Sequence, residues 1–159
     1  MGTITRSFAN LITASGPSAL PSGVASNTPA FHAQDATNTS VANSTWTKMS
    51  IPTEIFDTDN CYSSSRFTPT TSGKYFIYGC LKSSTDTDFD NLGIRFYKNG
   101  SAVDPLVRIV NQNVNSAYMA FTIELNGTSD YVEMFGLQNS GGTLDLQGLV
   151  FGGYKLIGA

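Results

Sequence analysis

Charge is what this chain has least of. Lys, Arg, Asp and Glu together make up 13% of its 159 residues, about half of the ~25% usual in soluble domains. The small balance that remains, a net charge of -3, is acidic rather than basic. It leaves no positive footprint for nucleic acid or an anionic membrane surface, so neither is expected as a partner. No run approaches the ~20 apolar residues of a membrane span, which excludes helical membrane insertion. The start, Met1 to Arg6, lacks the apolar stretch of a signal peptide, which predicts synthesis and folding in a cytoplasm. Histidine occurs once, as His32, and cysteine twice, as Cys61 and Cys80. His-Glu-x-x-His, Cys-x-x-Cys and Gly-x-Ser-x-Gly are all missing, so the usual metal and nucleophile motifs give no support to an enzyme. Cys80 lies in an apolar run, where a buried thiol is expected, and Cys61 lies beside a loop. A Cys61–Cys80 disulfide is the alternative, which a reducing cytoplasm disfavours. Long runs of strong helix formers are absent too, and with them any sustained helical periodicity.

Ser, Thr, Asn and Gly take the place of the missing charge, and the pattern they punctuate is that of short strands. Tyr75 to Leu81 is almost continuously apolar, as a strand covered on both faces would be. Asn91 to Tyr97 alternates, with Leu92, Ile94 and Phe96 on one face. It runs into Lys98-Asn99-Gly100-Ser101, and Asn-Gly is the favoured pair for a two-residue hairpin turn. Met119, Phe121, Ile123 and Leu125 share a face before a second turn at Asn126-Gly127. Tyr131 to Leu137, Leu144 to Leu149 and Phe151 to Ile157 read as three further strands. Seven or eight strands at this spacing predict an all-β sandwich, barrel or jelly roll. The first thirty residues differ. Thr3 to Ile12 is β-prone, and Gly16-Pro17 and Pro21-Ser22-Gly23 follow as loop signals.

Two groups of polar residues bear on chemistry. His32 sits on an expected strand between Phe31 and Ala33, the setting of a structural histidine rather than a catalytic base. Asp86, Asp88 and Asp90 have the spacing at which an EF-hand loop begins. Asn91 stands where that loop needs Gly, and Tyr97 where it needs Glu. A solvated loop is therefore expected there, with bound calcium the weaker alternative and no other cofactor. The chain is expected not to be an enzyme.

Several of these residues stand in a familiar order. Pro29-Ala30-Phe31, Asn60-Cys61-Tyr62, Arg66-Phe67-Thr68-Pro69, Gly73-Lys74-Tyr75-Phe76, Tyr97-Lys98-Asn99-Gly100 and Phe151-Gly152-Gly153-Tyr154-Lys155-Leu156 succeed one another. The series resembles, from about Pro29 to Ile157, the globular head of complement component 1q, whose superfamily includes tumour necrosis factor. One turn departs from the pattern. In Leu125 to Val132 two residues separate Gly127 from Asp130, which predicts a longer loop than the family's Leu-x-x-Gly-Asp-x-Val. The resemblance implies a jelly-roll β-sandwich of about ten strands that closes into a homotrimer. Tyr75, Ile77, Leu81 and Tyr154 are the expected trimer-interface residues, because the Tyr75–Leu81 strand carries two apolar stripes and only one can face its own core.

The wording around Phe56-Asp57-Thr58 and Phe96 to Ser101 is similar to versions found in bacteriophage virion proteins. It implies a non-enzymatic trimeric knob on the virion surface, a capsid decoration, head fibre or short tail fibre made in the host cytoplasm. Residues 1–28 are then an anchor and linker and 29–159 the jelly-roll domain. Ile4, Phe8, Leu11 and Ile12 form the apolar set expected to hold other virion proteins. The alternative is an adhesin tip that binds a host surface glycan or protein.

Overall fold

The computed structural model describes residues 26–85, 91–111 and 115–157, all of them strands, turns and loops. The strands are β1 (Ala30–Asp35), β2 (Thr39–Val41), β3 (Thr47–Lys48), β4 (Thr53–Asp57), β5 (Tyr62–Ser63) and β6 (Arg66–Phe67). They continue with β7 (Gly73–Ser83), β8 (Asn91–Lys98), β9 (Ser101–Asn111), β10 (Ser116–Leu125), β11 (Val132–Gln138) and β12 (Leu144–Lys155). Two sheets result. The first has the order β10-β7-β12-β1-β4, with β2 also on β12. The second has the order β5-β6-β11-β8-β9, with β3 also on β11. Every strand pair within them is antiparallel. This is a jelly-roll sandwich, as the resemblance implies.

Alternation explains most of it. Leu92, Ile94 and Phe96 of β8 are fully buried, and on β10 the buried residues Ala117, Phe121 and Leu125 share one parity. Between the sheets, Phe31 of β1 stacks on Phe67 at 4.3 Å and on Tyr62 at 4.9 Å, with Phe151 edge-on at 4.8 Å. Such ring pairs add about 0.5–1.5 kcal/mol each beyond the area they bury. The β8–β9 hairpin turns on Asn99 (φ 53°) and Gly100 (φ 77°), the two positive φ angles that an Asn-Gly pair accommodates.

Three expectations change. The described residues form twelve strands where about ten are expected, and β3, β5 and β6 are two-residue pieces that no periodicity can announce. The segments expected as Leu144–Leu149 and Phe151–Ile157 are one strand, β12, whose register shifts between Gln147 and Val150 at Gly148 (φ 58°). That glycine bends a continuous strand instead of ending one. The cysteines exchange places: Cys61 is buried, Cys80 is half-buried on the outer face of β7, and both are free thiols.

Candidate functional site

The outer face of the first sheet carries a band of aromatic side chains. On β7, Tyr75, Ile77 and Leu81 have no exposure at all and point into the sandwich. Phe76, Tyr78 and Cys80 have the opposite parity and are each half-buried. The sequence expectation for Tyr75, Ile77 and Leu81 is thereby corrected, because side chains sealed in their own core have no surface to offer a partner. Gly79 marks that inner side. A Cβ there would come within 2.5 Å of Met134 Sδ and 2.9 Å of Phe96 Cζ from the facing sheet. Tyr154 of β12 does lie outward, its ring 5.5 Å from Phe76.

The band is organised in rows across the strands. In the central row Tyr78 pairs with Gly152, Gly152 with His32, and His32 with Phe56. Gly152 makes the row possible. The Tyr78 ring lies over it so closely that a Cβ would fall 2.3 Å from the ring. Crossing that gap, the Tyr78 hydroxyl meets His32 Nδ1 at 2.8 Å, and the imidazole stacks against Phe56 at 6.1 Å and 19°. Burial, with a smaller contribution from Tyr154, pushes the Tyr78 phenol up, so it stays protonated. Tyr118 of β10, 75% exposed, flanks the band on one sheet edge. Ile55 and Phe56 of β4, 52% and 47% exposed, flank it on the other. Sequence reasoning missed Phe76, Tyr78, Phe56 and Tyr118, since a strand apolar on both faces does not declare which stripe is inside.

The second sheet and the loop before β11 carry three ion pairs among the described residues. Glu133, almost fully buried, receives Lys48 Nζ at 2.6 Å and Arg66 NH2 at 2.9 Å on the same carboxylate oxygen. Burial pushes its carboxyl up, but the hydrogen bonds from Lys48 and Arg66 prevail and hold it below its ordinary value. The Arg66 guanidinium also lies 3.9 Å over the Tyr131 ring. The longer loop after β10 closes on itself. Asn126 Oδ1 accepts the backbone N–H groups of Thr128, Ser129 and Asp130 at 2.9–3.0 Å. The Asp130 carboxylate accepts from Asn99 Nδ2 at 2.7 Å and Lys98 Nζ at 2.8 Å. These bonds hold the Asp130 carboxyl below its ordinary value.

Among the described residues no group of three or more His, Cys, Asp or Glu side chains could hold a metal, and no helix is long and apolar enough to cross a membrane. Asp86, Asp88 and Asp90, the calcium alternative, lie outside the described residues, as do Ile4, Phe8, Leu11 and Ile12.

No family model and no curated protein matches the sequence. The architecture does match solved structures. PRD1 vertex protein P5 superimposes with a TM-score of 0.64 at 16% identity, over 82% of this chain and 99% of that one. Murine APRIL gives 0.61 at 18% identity, over 80% and 98%. The globular domain of zebrafish complement 1qA gives 0.56 at 15% identity, over 80% and 97%. The chain therefore has the jelly roll of the complement 1q and tumour necrosis factor type, a fold it has in common with a phage vertex protein.

Proposed function

We propose that this chain is a non-enzymatic structural protein of a virus particle, a homotrimeric knob at the virion surface attached through residues 1–28. The observation that carries the trimer is the aromatic outer face of the first sheet. Phe76, Tyr78, Tyr154 and His32 lie together there, and a monomer rarely leaves so continuous an apolar band to water. Its two exposed flanks differ, Tyr118 on the β10 edge and Ile55 with Phe56 on the β4 edge. A ring of three copies needs two different patches that meet head to tail, whereas a two-fold dimer needs one self-complementary patch. The seam of this reading replaces Tyr75, Ile77 and Leu81 by Phe76 and Tyr78 and keeps Tyr154. The virion setting is supported by the shared fold with a phage vertex protein. Ile4, Phe8, Leu11 and Ile12 remain the proposed contacts to other virion proteins, and no cofactor is required.

Light scattering tests the assembly. The full chain should have three times the mass of its 17.0 kDa protomer, across an interface above the ~1,000 Å² that stable contacts usually need. Tyr78→Glu, which places a carboxylate in the seam, should give a folded monomer. A wild-type monomer at micromolar concentration would end the proposal.

A further inference from the structure

A second surface, on the opposite sheet, has the chemistry of a binding pocket. A depression of about 420 Å³ is lined by Lys48, Met49, Ser50, Pro52, Ser64 and Ser65. This volume lies within the range of small-molecule sites. Its walls are fixed to each other. Ile51 N–H donates to Ser65 Oγ at 2.7 Å, and Tyr62 OH donates to the Ile51 carbonyl at 2.8 Å. The 48–52 segment and the β5–β6 turn are thus tied together before any ligand arrives.

Three features describe what would fit. The first is charge. Lys48 and Arg66 share the single carboxylate Glu133, so this cluster keeps one positive charge in excess, and Lys48 is the member that lines the pocket. The second is hydroxyl groups. The side chains of Ser50 and Ser64 are exposed and take no hydrogen bond within the described chain, while Pro52 offers an apolar surface beside them. The third is backbone conformation. Ser64 (φ 51°) and Ser65 (φ 56°) both occupy left-handed geometry in a two-residue turn between Ser63 and Arg66. Asn and Gly take such a turn with less strain than serine. Ser65 has a structural duty toward Ile51 that accounts for its presence, and Ser64 has none. Strained positions of this kind gather where a ligand is gripped.

The geometry points to a pocket for a saccharide that bears a carboxylate, such as a uronate residue of a polysaccharide. Lys48 would pair with the carboxylate, Ser50 and Ser64 would bond ring hydroxyls, and Pro52 would carry the C–H face of the ring. A single excess charge and an open, hydroxyl-rich wall suit one carboxylate on a polyhydroxyl frame better than a phosphate. The site belongs to one protomer and does not depend on trimer formation, though three copies would raise the avidity for a repeating polymer.

Amide NMR titration of the full chain tests it with three probes: a galacturonate trisaccharide, a neutral galactose trisaccharide and inorganic phosphate. The acidic sugar should shift the amides of 48–51 and 64–65. Lys48→Gln should weaken that binding about tenfold or more, as loss of a charged hydrogen bond does, and leave the neutral sugar unaffected. Ser64→Gly should weaken both sugars while raising the melting temperature, which separates loss of binding from loss of fold. The proposal is overturned if the acidic trisaccharide moves none of these amides or if Lys48→Gln binds it as well as wild type. Phosphate binding as tightly as the sugar would overturn it as well.

Discussion

Two glycines on opposite faces of the same sheet separate the core from the proposed seam. Gly79 lies inside, where a Cβ would strike Met134 and Phe96, and Gly152 lies outside, beneath the Tyr78 ring. Gly79→Ala should destabilise the protomer by about 1–3 kcal/mol, the usual result of overpacking a core. Thermal or urea unfolding would measure the loss. Gly152→Ala should leave the protomer folded but lift Tyr78 off its strand and break its bond to His32. Its expected effect is a higher trimer dissociation constant in sedimentation, and a Gly152→Ala trimer as tight as wild type would refute that role. Neither position could be assigned from the sequence, because Tyr75–Leu81 is apolar at both parities and a glycine carries no mark of which side it faces. His32 was legible as a residue of a strand. Its hydrogen bond to Tyr78, 46 positions away, was not.

At the level of the strands, legibility followed local rules. β8 and β10 alternate cleanly, and Asn99-Gly100 announces its own turn, so all three stand where they were expected. The small strands β3 and β6 have no local signal. They are held on β11 by Glu133, which draws Lys48 from 85 residues away and Arg66 from 67. A depressed carboxyl pKa stabilises the fold above the unfolded value, about 4.3 for Glu. That contribution is lost as the pH falls through the folded value. Glu133 and Asp130 share this sign, so stability should be level near neutrality and decline below about pH 4. Glu133→Gln should flatten part of that decline. It should also lower stability at pH 7 by about 1.5–3 kcal/mol, the scale of hydrogen bonds to charged groups. Hydrogen exchange should then quicken first in β3 and β6. An unchanged acid-unfolding curve in Glu133→Gln would contradict the assignment.

For the molecule as a whole, residues 1–28 are the part proposed to be separable. β1 begins at Ala30, and among the described residues the outermost backbone bond on its approach is Lys155 N–H to the Pro29 carbonyl at 3.1 Å. Deleting residues 1–28 should therefore leave a folded trimer that no longer joins the particle, as gel filtration and incorporation assays would show. Truncated trimers that still incorporate would place the attachment on the knob, and an unfolded product would move the domain boundary. The division of work between the two sheets reaches further, into how such a protein changes over generations. Phe76 and Tyr78 are on the first sheet, while Lys48 and Ser64 belong to the second and to its turn. If the proposed seam and pocket both hold, mutations that alter what the pocket accepts leave the seam alone, so each can be tried without loss of assembly. On the proposed reading, a lineage with this plan can drift from one ligand to another while its assembly stays the same.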